Sequence, residues 1–117
     1  MANLWRYTKW NNIVAARQEL LSRGADVNYA ERRISPLMNA VKQDSLPLLS
    51  LLLEQPGIQV NSRNLQGRTA LHMALQWCVS PDLLRLILNF PGVNVEVRDK
   101  MGLTPLMLAT QVSCIKI

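Results

Sequence analysis

The hydrophobic positions of this chain fall in short bursts at helical spacing, separated by polar turns rich in glycine and proline. Leu48, Leu49, Leu51, Leu52 and Leu53 are matched further on by Leu83, Leu84, Leu86, Ile87 and Leu88. Apolar stripes this wide predict helices over 46–54 and 82–89 that are buried on more than one side. Shorter apolar runs over 36–43, 70–78 and 105–111 follow Ser35, Thr69 and Thr104, whose hydroxyls suit the N-cap, where an oxygen satisfies a free first-turn amide. Pro36 and Pro105 then fit the first helical position, where a missing N–H is harmless. Pro47 and Pro81 are tolerated in the first turns of the leucine-rich helices, for which Asp44, Ser45, Ser80 and Asp82 are available as caps. Gly24, Gly57 and Gly92 end the second helices, where a left-handed residue is wanted.

These elements repeat in phase. Ser35-Pro36-Leu37-Met38, Thr69-Ala70-Leu71-His72 and Thr104-Pro105-Leu106-Met107 start 34 and then 35 residues apart. A second landmark tracks the first: Gly24-Ala25-Asp26-Val27-Asn28, Gly57-Ile58-Gln59-Val60-Asn61 and Gly92-Val93-Asn94-Val95-Glu96. Two landmarks with one period in the low thirties predict a stack of helix pairs. No single pair can hide its own leucines, so each must bury them against its neighbours.

The residues that carry the repeat resemble the ankyrin family. Gly67-Arg68-Thr69-Ala70-Leu71-His72-Met73-Ala74 resembles its opening signature, and Leu20-Leu21-Ser22-Arg23-Gly24-Ala25-Asp26-Val27-Asn28 its closing one. The resemblance runs from about residue 4 to about residue 111 and implies an all-α solenoid of about three and a half repeats with β-hairpin tips. It divides one domain, 1–117, into a divergent first unit or cap (1–28), repeats over 29–61 and 62–96, and an incomplete last repeat (97–117). In the first unit Trp5, Tyr7 and Trp10 stand where small residues are expected. At the other end, residues 112–117 stop inside what should be a second helix, so the chain is read as a piece of a longer array or a short form whose open end self-associates. Pro56 and Pro91 read as one-residue insertions. Arg33 stands where Gly67 and Gly102 supply the turn glycine, in a hairpin one residue shorter, which predicts a differently shaped first tip.

Composition narrows the class further. At 117 residues and 49% hydrophobic content the chain can supply one core, and with only 5% aromatic residues that core rests on leucine. No apolar run is long enough to cross a bilayer. The N-terminal residues lack a secretory signature, and with the resemblance this predicts a cytoplasmic or nuclear setting. Cys78 and Cys114, 36 residues apart, form no metal motif or disulfide framework and are expected as reduced, apolar packing residues.

Little here points to catalysis. The single histidine, His72, lies one helical turn from Thr69, and the resemblance implies a structural bond between them rather than a general base. No phosphate loop, paired carboxylates or metal spacing is present, so no catalytic, cofactor or metal residue is assigned and no enzyme is expected.

What remains is a surface. The resemblance implies a concave face formed by the hairpin tips and first helices, which grips a protein partner. The tips (29–34, 62–68 and 97–103) hold Arg32, Arg33, Arg63, Arg68, Arg98 and Lys100 against Glu31 and Asp99 only, within a chain of formal net charge +5. That imbalance favours an acidic partner. Nucleic acid or acidic lipid ranks last, since the tips lack interleaved aromatics. Trp77 and Met101 complete the candidate contacts, Trp77 as an aromatic anchor and Met101 as an apolar tip residue. Asn28 is a candidate for asparaginyl hydroxylation, which the resemblance implies for some hairpin asparagines.

Overall fold

The computed structural model describes residues 3–21 and 25–111. Seven helices follow in order: α1 (Asn3–Lys9), α2 (Ile13–Leu21), α3 (Pro36–Lys42), α4 (Leu46–Leu53), α5 (Ala70–Gln76), α6 (Pro81–Leu88) and α7 (Pro105–Gln111). The odd-numbered helices pack side by side as an inner layer, and α2, α4 and α6 form an outer layer. The result is an all-α solenoid of three helix pairs and a seventh helix among the described residues.

The caps form as the sequence predicts. Met38 N donates to Ser35 Oγ, Leu48 N to Ser45 Oγ, and Met107 N to Thr104 Oγ1. Ser80 is the exception: it opens α6 with no side-chain cap bond. Its amide and hydroxyl both donate to Asp44 at 3.0–3.2 Å, tying the α5–α6 turn to the α3–α4 turn one repeat earlier. Gly57 and Gly92 take the left-handed conformation expected at the ends of α4 and α6, while Gly24 lies outside the described residues.

A second left-handed series is less visible in the sequence. Asn11, Asp44 and Cys78, at φ 53°, 51° and 54°, follow α1, α3 and α5 at matching positions. Asn and Asp tolerate this region better than most residues; cysteine does not share that advantage. The position throws the side chain off the stack. Cys78 is accordingly exposed and disulfide-bonded, not the buried reduced thiol expected. Cys114 lies outside the described residues.

The leucine stripes part company. Leu48, Leu49, Leu51, Leu52 and Leu53 are all buried, because α4 has α2 on one side and α6 on the other. In α6 only Leu83 and Ile87 are buried, and Leu88 is 44% exposed. Among the described residues α6 packs on α4 and α5, with no outer helix beyond it.

Candidate functional site

The hairpin tips come in two designs, set by length. In the second and third, Asn64 and Asp99 sit at equivalent positions, and each uses Oδ1 to gather two amides: Gln66 N and Arg68 N at Asn64, Met101 N and Leu103 N at Asp99, all at 2.9–3.0 Å. An arginine one residue earlier closes each loop, Arg63 Nε onto Gly67 O at 3.0 Å and Arg98 Nη1 onto Gly102 O at 2.9 Å. Gly67 and Gly102 are left-handed. At Gly67 an added Cβ would stand 2.8 Å from Arg63 Nη2 and 3.0 Å from Lys100 N, so the close approach also requires glycine there.

The two tips are locked together. Arg63 Nη2 donates to Arg98 O at 2.8 Å, and Lys100 N to Gln66 O at 3.0 Å. Arg68 Nε meets Asp99 Oδ2 at 3.0 Å in a pair whose side chains are 11% and 0% exposed. Burial by itself would raise the Asp99 pKa, but the Leu103 amide, the Arg68 side chain and the Met101 amide together hold it below the ordinary value.

His72 completes this joint. Its Nδ1 accepts from Thr69 N at 3.2 Å, closing a capping box, and its Nε2 donates to Leu103 O at 2.8 Å in the next repeat. An amide donor on one side and a carbonyl on the other fix the tautomer with hydrogen on Nε2. Desolvation lowers the His72 pKa, outweighing the Leu103 carbonyl and Asp99, which raise it. The ring is neutral and built into the stack.

The same position in the first unit explains an apparent departure from the pattern. Trp5 stands in register with His72, and Trp5 Nε1 donates to Ile34 O, just before the Ser35 cap, as His72 Nε2 does before Thr104. The aromatic residue therefore keeps the inter-repeat bond in another form.

The first tip is different. Glu31 and Ile34 exchange both backbone bonds, at 3.2 and 2.9 Å, around two residues, Arg32 and Arg33, both left-handed at φ 53° and 62°. This two-residue turn is usually made by Asn-Gly. The loop is too short for an arginine clamp, and the residue before Glu31 is Ala30, not arginine. Both guanidiniums are exposed, and neither makes a hydrogen bond or ion pair among the described residues. The sequence-level patch of six cations thus divides: Arg63, Arg68 and Arg98 tie loops and repeats together, while Arg32 and Arg33 face solvent. Lys100 is exposed, and Met101 is 78% exposed beside it.

A groove of about 570 Å³ runs along the inner-helix face at this end, lined by Trp5, Lys9 and Trp10 from α1 and its end, Arg32 from the tip, and Lys42 and Gln43 from α3 and its end. The sequence singles out Arg32, with Lys42 and Gln43 as inner-helix surface candidates, but gives no sign of Lys9 as their neighbour. Lys9 Nζ lies over both indoles, 5.5 Å from Trp5 and 5.4 Å from Trp10. Gln43 Nε2 donates to Lys9 O, and Gln43 Oε1 is buried with no partner among the described residues. The spacing that could have found this groove is a register: Trp10, Gln43 and Trp77 occupy one position at the ends of successive inner helices. Trp77 closes α5 and is 43% exposed, away from the first-tip groove.

Asn28, the candidate hydroxylation site, is part of a ladder. Its Nδ2 donates to Gly57 O at 2.8 Å and its Oδ1 accepts from Gln59 N at 2.9 Å. Asn61 repeats the arrangement with Gly92 O and Asn94 N, both at 2.8 Å.

Stacked helix pairs with a hydrogen-bonded ladder between turns and an open inner face define a helical-repeat solenoid, a class that presents surface instead of enclosing a cleft. A family model described as ankyrin repeats (3 copies) matches residues 9–99 and 37–117, and the chain belongs to the ankyrin repeat family, a type of protein-interaction module. A 59-residue stretch is 48% identical to proteins called Arf-GAP with coiled-coil, ANK repeat and PH domain-containing protein 2 from Homo sapiens, Oryctolagus cuniculus and Rattus norvegicus. The matched stretch is 48% of this chain and 8% of each relative. Among the described residues no helix is long and apolar enough to cross a membrane.

Proposed function

We propose that this chain is a non-catalytic scaffold, adaptor or inhibitor that holds a partner protein against its inner-helix and hairpin face. The observation that carries this is the division of labour described above. His72, Arg68 and Asp99 are consumed in joints between repeats, whereas the first-tip groove combines two indoles with three cations and one acid, Glu31. A large aromatic surface beside uncompensated positive charge suits a protein partner bearing acidic residues. Affinity capture from the source cell, with cross-linking and mass spectrometry, tests it. Cross-links from Lys9 and Lys42 are expected; a captured partner that cross-links to neither would contradict the reading.

A second reading is that the chain acts as the targeting or regulatory part of a longer protein. Its support is that the relatives share only a short stretch with it, and that their names also carry Arf-GAP, coiled-coil and PH terms. Leu106 and Met107 on α7 are 66% and 41% exposed, which supports self-association at that end; light scattering at rising concentration reads it. We propose a cytoplasmic or nuclear setting, which fluorescence microscopy of the tagged protein in its source cell tests.

A further inference from the structure

The first hairpin holds two successive arginines in a conformation that penalises both. A left-handed non-glycine residue is strained, and strain that persists beside a groove points to use. The two side chains also serve different places. Arg32 lines the groove with Trp5, Lys9, Trp10 and Lys42, three cations against the single acid Glu31, while Arg33 lines a second cleft of about 390 Å³ between the tips, with Arg63 and Lys100 and no acidic residue. The hairpin therefore sits as a ridge between two basic depressions, each with its own free guanidinium.

We propose that the Arg32–Arg33 turn is the specificity ridge of this surface, straddled by an extended acidic segment of a partner protein. One carboxylate meets Arg32 and Lys42 in the groove, the next meets Arg33 and Lys100 beyond the ridge, and an apolar side chain covers the exposed Trp10 ring. Opposite sides of a two-residue turn suit alternate side chains of an extended strand, which point to opposite faces. Arginine is the residue that meets carboxylates through paired N–H donors. This rests on the protein-interaction reading above and gives it a partner chemistry.

The decisive variant is Arg32→Asn with Arg33→Gly, which writes the favoured pair for this turn while removing both charges. The probe is a fluorescein-labelled glutamate-rich peptide with a central pair of leucines, followed by anisotropy against the intact chain, with its glutamine counterpart as control. Wild type is expected to bind the glutamate peptide and not the glutamine one. The double variant is expected to lose about tenfold or more in affinity while its Tm rises by about 4 °C. Arg85→Gln, on outer helix α6, should leave binding unchanged. Retained affinity in a double variant that melts normally would overturn the proposal. So would equal binding of the glutamine peptide, or tighter binding of phosphatidylserine vesicles or a single-stranded oligonucleotide at the same salt. If the double variant still recovers the cellular partner at wild-type level, the ridge assignment fails while the interaction reading stands. Failure of the interaction reading itself shows separately, as capture that leaves no cross-link on the inner face.

Discussion

Asp99→Ala and Asp99→Asn should differ by far more than their shared loss of charge. The Asp99 carboxylate is inaccessible and does three things: Oδ1 accepts from Met101 N and Leu103 N, and Oδ2 accepts from Arg68. Alanine removes all three. Each amide left without an acceptor costs about 1 kcal/mol. The half-buried Arg68 charge loses its counter-ion, a change that runs to about 3–5 kcal/mol when nothing replaces the partner. Here Gln76 Oε1 and Gln66 Oε1 remain within reach of Arg68 Nη1, at 3.2 and 3.4 Å, which brings that part down to about 1–2 kcal/mol. The sum for alanine is about 3–4 kcal/mol, a large share of the roughly 5–15 kcal/mol typical of a folded domain. Asparagine keeps the Oδ1 acceptor, as Asn64 already does in the preceding tip, so its loss should be about 1–2 kcal/mol. Urea unfolding followed by far-UV circular dichroism at neutral pH separates the two. Equal losses, or less than about 1 kcal/mol for alanine, would show that the tip is held by something other than this carboxylate. The pH dependence follows by sign. The folded pKa of Asp99 lies below its ordinary 3.8, so its contribution is complete above that value and disappears as pH falls through the folded pKa. The asparagine variant should lose part of the acid sensitivity of wild type.

Three further outcomes are expected. His72 has a folded pKa below 6.5, so the unfolded chain takes the proton first and stability declines as pH falls below that point; His72→Gln should flatten this limb in pH-dependent thermal melts. Asn61→Ala removes a side chain that donates to Gly92 O and accepts from Asn94 N, and should destabilise by about 1–2 kcal/mol in urea titration, with hydrogen exchange quickening at Asn94. Gly67→Ala, left-handed and crowded by Arg63 and Lys100, should destabilise by more than 1 kcal/mol, whereas Gly102→Ala, left-handed with open space around its Cβ position, should be milder; equal Tm shifts would dismiss the crowding argument.

The architecture was legible because it repeats. Ser35, Thr69 and Thr104 cap helices that begin where the spacing places them, and the leucines of 46–54 are buried as their stripe requires. Periodicity reports what every unit must do. It says less about what one unit does alone. Cys78 read as a packing residue because its neighbours are helical and apolar, yet it falls one step past the helix, on the left-handed residue that turns the chain outward. Trp5 read as a departure, although its indole N–H makes the bond that His72 makes elsewhere. Both depend on which backbone group lies opposite in the neighbouring unit, and a chain read residue by residue does not display that.

The basic patch illustrates the same limit and explains why unpaired positive charge gathers at one end. Charge counted along the tips treats six cations as equivalent. In space, a tip with an Asx residue, a glycine and an arginine one position earlier consumes that arginine in closing its own loop, and a carboxylate in the next tip claims another. Shortening the hairpin by one residue removes the loop that needs closing. The first tip has no clamp, no partner carboxylate and no glycine, so both of its arginines remain outside the structural network at the expense of backbone strain. A shorter loop together with Ala30 in place of the clamp arginine thus leaves Arg32 and Arg33 without structural work. Restoring the longer loop, by inserting a glycine after Arg33 and changing Ala30→Arg, should recreate the clamp: the first tip would gain stability, and the acidic peptide would lose its hold.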